Sequence, residues 1–595
     1  MKQTAISATG LILDFNSAGI LAWSDVHLAR FLAARFKENN ENVILAAALT
    51  IAALRNGSVC LNLANPLESA LGAEEYSAVD LTKISLPDPV SWFTALKDSP
   101  LIAFGDAAPI NAKPLRLVSG LLYLERYWVD QEDIRKILLQ RVSAPTLQPD
   151  QNKLAYFLDA EFAENLADPT RQAVSTALCS RTTVIAGGPG TGKTTAISRI
   201  LRALNQVSGS PISVALAAPT GKAAARMNEA LTDELTSTRM NLAVQSPTTI
   251  HKLLGAKGPH REYEYGPHNQ LAADMVIIDE MSMVPLPMLA TLLRTIREDT
   301  QLIMVGDPDQ LTSIDVGSVL GDIVTAHLPI SIDNPESSVV TLTENHRSGG
   351  NVHALATAIK RGSVEDVFSL LDGEHSDLDF IECSPSQVRL NDLHSLALAL
   401  LDQARSIHLA AVRSDAAQAV RVLDEHRLLC AHRTGPAGVK EWSYKIDALL
   451  RESIPDFGVE GNWYLGRSVL ITSNLPSIGL SNGDTGVVIS TEHGARVAFA
   501  LPSGTELFAP HLLDSAETVT AMTIHKSQGS QFDWVSIVLP DVDSPLLTKE
   551  LFYTAVTRAK KGVRIIGARP AILKAIQTPV RRTSGLSDRL MAQLN

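Results

Sequence analysis

Gly187, Gly192, Lys193 and Thr194 fill the spacing G-x-x-x-x-G-K-[ST], within the run Gly187-Gly188-Pro189-Gly190-Thr191-Gly192-Lys193-Thr194-Thr195. Glycines let such a loop turn through positive φ and bring backbone N–H groups against phosphate oxygens. A helix that starts there aims the positive end of its dipole at the same anion. Lys193 is spaced to reach the β- and γ-phosphates, and the Thr194 hydroxyl to ligate Mg²⁺, a hard ion that prefers oxygen. The expected ligands are therefore ATP and magnesium.

More polar residues close apolar runs downstream. After Val276-Ile277-Ile278, Asp279 is placed to hold the magnesium through its water shell, and Glu280 to orient and polarise the water that attacks the γ-phosphate. Gly306-Asp307-Pro308-Asp309-Gln310 ends a second run, where Gln310 is suited to contact the γ-phosphate or the attacking water. Arg347, after a third run, supplies a delocalised, always-charged group for a transferring phosphoryl. Gln172, upstream of the loop, offers an adenine edge both a donor and an acceptor.

These residues need a scaffold that gathers strand ends. Short apolar runs at 184–186, 213–218, 275–278, 302–305 and 339–342 alternate with helix-compatible segments, which predicts a parallel sheet with its ligand groups at the carboxyl ends of the strands. Alternating Val, Ile and Thr with an Asn482-Gly483-Asp484 turn and a second turn at Ser503-Gly504 predict a β-rich piece at about 466–515, with a structural role or, alternatively, a DNA contact.

Several of these motifs occur together and in order. The phosphate loop, APTGKAAARM (218–227), TTIHKLLG (248–255), VIIDEMSMV (276–284), VGDPDQL (305–311) and LTENHRS (342–348) resemble the motif series of superfamily 1 helicases, and their wording is similar to the RecD family of exonuclease V (RecBCD) alpha subunits. AMTIHKSQGSQFDWVSIVLP (521–540) and LFYTAVTRAKKGV (551–563) extend the likeness. The resemblance implies an α/β fold with two RecA-like P-loop motor domains, at 151–348 and 349–595. A mainly helical partner-docking domain at 1–145 would precede them, and the second motor would carry the β-rich insertion. It implies ATP-dependent movement 5′ to 3′ along single-stranded DNA and unwinding of double-stranded DNA, in the repair of breaks by homologous recombination. Arg558 would cross the cleft as an arginine finger, and Pro219, Thr220, His251, Thr523, His525, Lys526 and Ser527 would touch the DNA, mostly at its backbone. RecB-like and RecC-like subunits would complete a heterotrimer. No D…E-x-K nuclease constellation is evident, so cleavage is expected of a partner. The alternatives are a stand-alone helicase of the same superfamily and a P-loop regulatory ATPase.

Length and composition bound these readings. The chain has 595 residues, 45% hydrophobic and 19% charged, which is globular composition with room for three or four domains. A net charge of -12 argues against indiscriminate coating of nucleic acid but leaves room for a local basic groove. Cys60, Cys179, Cys383 and Cys430 lie far apart with no C-x-x-C spacing, which suits a reducing cytoplasm. The first ten residues lack the apolar core of a signal peptide, and no apolar run reaches about 18 residues, so no membrane span is expected. In the amino-terminal part, Val43 to Leu54 is apolar almost all round and predicts a helix buried in a core or against a partner. The aromatics Tyr123, Tyr127 and Trp128 are read as packing residues.

Overall fold

The computed structural model describes residues 5, 7–76, 84–107, 112–237, 242–258, 262–331, 333–343, 350–455, 457–458, 461–501 and 504–594. Its amino-terminal lobe is organised around the helix Glu41–Arg55, which starts at Asn40, whose side chain accepts the Asn42 N–H at 3.0 Å. Every residue from Val43 to Leu54 is buried, under the helices Gly10–Ser17, Trp23–Phe36, Pro66–Tyr76 and Pro89–Asp98. The all-round apolar run is thus an internal core helix, in which each buried Leu or Ile contributes about 1.5–3 kcal/mol. Strands Leu115–Val118 and Leu121–Leu124 pair antiparallel across the turn Ser119-Gly120, with Leu61–Asn62 and Ile102–Phe104 on the two edges. Tyr123 and Trp128 are 0% and 3% exposed and meet edge to face at 5.2 Å, as the packing reading expects.

The helix Glu125–Val142 fastens this lobe to the next. Arg141 is buried at its end and donates to Thr182 Oγ1 at 2.8 Å and to the carbonyls of Arg181 and Thr300. Arg294 of that next lobe reaches back to Asp130 and Asp133 at 2.9 and 2.6 Å.

Two parallel sheets follow. The first runs in the order Val339–Leu342, Thr182–Gly187, Gln301–Gly306, Met275–Ile278, Ile212–Ala218 and Leu242–Val244, with Thr248–Thr249 also paired to Ile212–Ala218. Helices cover both faces, Gln151–Glu161, Pro169–Cys179 and Lys193–Val207 on one, and Glu125–Val142, Leu286–Thr295 and Val319–Ala326 on the other. The second sheet orders Leu378–Glu382, Ala559–Gly567, Phe532–Val538, His426–Cys430 and Ala521–Thr523. In the chain between His426–Cys430 and Ala521–Thr523 comes a separate antiparallel sheet of Gly504–Phe508, Arg496–Leu501, Thr485–Ile489, Ser468–Ile471 and Ala516–Thr518. This is the α/β architecture expected, with the β-rich insertion in the second lobe. All four cysteines are free. Among the described residues no helix is long and apolar enough to cross a membrane.

After the helix Arg569–Gln577 the chain crosses the whole molecule, a feature without a sequence signal. Val580 N–H donates to Glu550 of the second lobe at 2.8 Å, and Arg582 donates to the carbonyls of Asp315 and Gly317 of the first, both at 3.0 Å. In the amino-terminal lobe Val59 N–H donates to Thr583 O at 2.8 Å, and Arg581 pairs with Glu68. The helix Leu586–Leu594 then docks beside Val319–Ala326 and Glu125–Val142, where Arg589 bonds Glu132 at 2.9 Å and lies 4.3 Å over the Trp128 ring. Gly585 sits where any Cβ would run into the Tyr123 hydroxyl and Leu121. Gly585→Ala is expected to lift this strap at a cost of about 1–3 kcal/mol and to speed tryptic cleavage after Arg581, Arg582 and Arg589, read by mass spectrometry. Unchanged cleavage would contradict the packing described.

Candidate functional site

The strand Thr182–Gly187 is buried along its whole length and delivers the phosphate loop to the helix Lys193–Val207. Gly190 and Gly192 take φ of 86° and 84°, a left-handed conformation that L side chains rarely adopt. Gly192, as N-cap, brings no side-chain cap to the first turn, so those N–H groups point into the loop. Lys193 Nζ folds over the same loop and donates to the Gly187 and Gly188 carbonyls at 2.6 and 2.9 Å. Thr191 Oγ1 donates to Gly188 O at 2.8 Å. Helix Pro169–Cys179 is tied to this helix by Asp168 and Arg199 at 3.2 Å, and Gln172 stands exposed on its first turn.

Asp279 and Glu280 follow the buried strand Met275–Ile278 at the same edge of the sheet. Burial first, and then the Glu280 charge, push the Asp279 carboxyl above its ordinary range, against the pull of Lys193. Glu280 itself is held at φ 53° and ψ 41°, a left-handed conformation that costs a residue with a side chain on the order of 1–3 kcal/mol. Its N–H donates to Asp279 Oδ1 at 2.8 Å. Thr194, Asp279 and Glu280 therefore present only oxygen donors, a set that suits a hard divalent cation held jointly with phosphate.

The second lobe completes this cleft. Arg558 is 3% exposed, and its guanidinium donates to Gln310 Oε1 at 2.9 Å, Thr554 O at 3.2 Å and Ser530 O at 3.2 Å. Burial lowers its pKa, while Glu280, Asp307 and Tyr553 act the other way. Gln310 and Arg558, distant in the sequence, are thus brought into contact. Asp307, which sequence reasoning left without a role, is 1% exposed and accepts from Gln310 Nε2 at 3.0 Å and from the Tyr553 hydroxyl at 3.1 Å. Its place directly after a buried strand was the available signal. Arg226, also unassigned, reaches Gln531 O at 3.5 Å, and burial, reinforced by the Arg558 charge, lowers its pKa to about 10. Arg347 lies outside the described residues.

The remaining sequence candidates line the rims of the lobes. Thr220 Oγ1 caps its helix by accepting Ala223 N–H at 3.2 Å, and a Cβ at Gly529 would lie 3.6 Å from it, so the loops after Pro219 and Thr523 adjoin across the cleft. Lys526 is exposed and His525 half-buried, with burial and then Arg582 lowering the His525 pKa. Thr523 accepts the Lys526 N–H at 3.2 Å. Ser527 is fully buried and its hydroxyl donates to Ile524 O at 2.7 Å, so it shapes the turn from inside. His251 is exposed, 6.4 Å from the Tyr263 ring.

Between these groups the second lobe grips the backbone of one residue of the first, on both its N–H and its carbonyl. Leu311 N–H donates to Thr554 Oγ1 at 2.8 Å, and Leu311 O accepts from Gln528 Nε2 at 3.0 Å. Thr554→Val keeps the shape and leaves that N–H buried without its acceptor, at about 1–3 kcal/mol. Exchange of the Leu311 amide is expected to rise about tenfold or more by hydrogen-exchange mass spectrometry, and unchanged protection would contradict the cross-lobe bond.

Comparison with known proteins follows the same division. Family models match at residues 17–123, the amino-terminal domain of RecBCD enzyme subunit RecD, at 170–316, an AAA domain, and at 518–566, a UvrD-like helicase C-terminal domain. The ATP-dependent RecD2 DNA helicase of Deinococcus radiodurans is 28% identical over 427 residues, covering 69% of this chain and 50% of that protein. A crystal structure of Bacteroides Pif1 bound to ssDNA aligns with a TM-score of 0.39 at 18% identity, over 70% of this chain and 94% of that one. The RecBCD enzyme subunit RecD of Mycolicibacterium smegmatis is 40% identical over 585 residues, covering 96% of this chain and 98% of that protein. With that identity along almost all of both chains, the protein belongs to the RecD family.

Proposed function

We infer that this chain is an ATP-dependent DNA helicase of superfamily 1. We propose that it is the 5′ to 3′ motor of a RecBCD-type complex, with RecB-like and RecC-like partners, that processes double-strand breaks for homologous recombination. The observation that carries the reading is the contact of Arg558 in one lobe with Gln310 in the other, which makes the phosphate site depend on both. The match to RecD along nearly its full length, against half the length of RecD2, favours the subunit over the stand-alone helicase.

In this reading the loop amides of residues 187–195 and the Lys193 ammonium hold the triphosphate, and Gln172 meets the adenine. Thr194 and Asp279 would hold Mg²⁺, which when bound neutralises phosphate charge. Glu280, fixed by its left-handed backbone, orients the attacking water and takes its proton. Gln310, Arg347 and Arg558 stabilise charge on the transferring phosphoryl. Closure of the lobes assembles this set and release of product separates it, so the two rims alternate their hold on a DNA strand. Pro219, Thr220 and His251 form one rim, and Thr523, His525 and Lys526 the other, while Ser527 supports the second from within.

The amino-terminal lobe offers the partner a surface. Trp23, His27 and Phe31 lie at one-turn spacing along the helix Trp23–Phe36, with Trp23 57% and Phe31 65% exposed. Apolar aromatic anchors of this kind carry much of an interface's free energy.

Two measurements separate motor from docking. Lys193→Gln is expected to fold and assemble but to lose at least about 99% of single-strand-stimulated ATP hydrolysis, a barrier change of about 2.7 kcal/mol or more. Normal unwinding by that variant would sink the motor assignment. Trp23→Ala with Phe31→Ala is expected to keep DNA-stimulated hydrolysis and to lose co-purification with two larger subunits. Intact recovery of the complex would move the docking surface elsewhere.

A further inference from the structure

The phosphate loop, a buried carboxylate and the second lobe meet at one hydroxyl. Tyr553 OH donates to Asp307 Oδ2 at 3.1 Å, and a Cβ at Gly188 would lie 2.9 Å from that same oxygen of Tyr553. Lys193 Nζ donates to the Gly188 carbonyl at 2.9 Å, so one residue of the loop adjoins both the lysine and the tyrosine. Asp307 Oδ1 is taken by the Asp309 N–H at 3.1 Å, and Oδ2 also accepts Gln310 Nε2 at 3.0 Å. Gln310 then offers its remaining amide oxygen to Arg558 Nη2 at 2.9 Å.

The polarity of this chain is fixed by its ends. An ionised carboxylate only accepts and a guanidinium only donates, so Gln310 fits between them in one orientation. Reversing the amide would set its oxygen against Asp307 and its N–H₂ against Arg558. Tyr553 and Arg558 lie at the end of one helix, Lys549–Val556, where Thr557 N–H donates to Tyr553 O at 3.0 Å and Arg558 N–H to Ala555 O at 3.2 Å. The bonds therefore close a ring, Tyr553 to Asp307 to Gln310 to Arg558 and back through the helix end. Each lobe contributes two of the four side chains.

We infer that Tyr553 and Asp307 are a positioning pair for ATP hydrolysis, which sets Arg558 through Gln310 according to what the phosphate loop at Gly188 holds. Displacement of the loop at Gly188 moves the Tyr553 hydroxyl, and the ring passes that movement to the guanidinium. The burial of Tyr553, with the Asp307 charge beside it, raises the phenol's pKa and keeps it a donor. This inference rests on the helicase reading and deepens it by naming how one lobe reports to the other.

The test uses the full chain as purified, with ATP hydrolysis measured with and without single-stranded DNA. Tyr553→Phe keeps the ring packing and loses only the hydroxyl. It is expected to lower the DNA-stimulated kcat about tenfold, with KM for ATP changed less than twofold and Tm lowered by at most a few degrees. In an Arg558→Ala background the same substitution is expected to change single-turnover hydrolysis less than twofold, because Tyr553 acts through Arg558. A wild-type rate in Tyr553→Phe, or a tenfold loss that persists without Arg558, overturns the inference while leaving the helicase reading intact. A wild-type chain whose hydrolysis ignores DNA overturns the helicase reading and this inference with it.

Discussion

A guanidinium buried to 3% exposure keeps its charge at a cost of several kcal/mol unless polar groups surround it, and the hydrogen bonds of Arg558 go to neutral oxygens of Gln310, Thr554 and Ser530. The carboxylates that favour its charge, Glu280 and Asp307, act through space from the opposite lobe. The Thr554 and Ser530 bonds lie within the second lobe, whereas the Gln310 bond and the attraction of Glu280 and Asp307 act only while the two lobes face each other. The guanidinium also sits where any added negative charge on the phosphate side strengthens that facing. A lobe contact of this kind supplies the differential affinity that a nucleotide needs in order to shift the lobes between closed and open. The left-handed Glu280 and the bare Cα of Gly188 serve the same interface, the first through a strained backbone and the second by leaving room for the Tyr553 hydroxyl.

The rest of the molecule limits which parts can move. Arg141 and the Arg294 ion pairs fix the amino-terminal lobe to the first motor through one helix, Glu125–Val142. The carboxy-terminal strap adds a second attachment, bonding Thr583 to Val59 and Arg582 to the Asp315 and Gly317 carbonyls. Between strap and second motor, Lys549 N–H donates to Thr578 O at 2.9 Å and Val580 N–H to Glu550 at 2.8 Å. The amino-terminal lobe and first motor are thus joined at two places, and the second motor meets them chiefly across the Arg558 cleft.

Features carried by local spacing were legible in the sequence. The phosphate loop, the strands ending at Ile278 and Gly306 and the antiparallel insertion all follow from residue type and period within about ten positions. The buried helix Glu41–Arg55 was legible as buried, but whether a core or a partner covered it depended on helices distant in the chain. Asp307 was visible as a strand-end residue, yet its role comes from Tyr553, which joins it only through the tertiary fold. The strap was invisible for the same reason, since Thr583 meets Val59 across nearly the whole chain. Ser527 shows the opposite failure. Its motif suggested a DNA contact, whereas the turn it closes turns its hydroxyl inward.

The measurement closest to the central claim is ATP turnover by Arg558→Ala in the presence of single-stranded DNA, with nucleotide affinity measured separately. If both lobes make one active site, turnover falls by about 10³ while ATP affinity stays within a few-fold of wild type. Turnover within twofold of wild type would show that the first lobe hydrolyses ATP without the second, and the account of a shared site would fail.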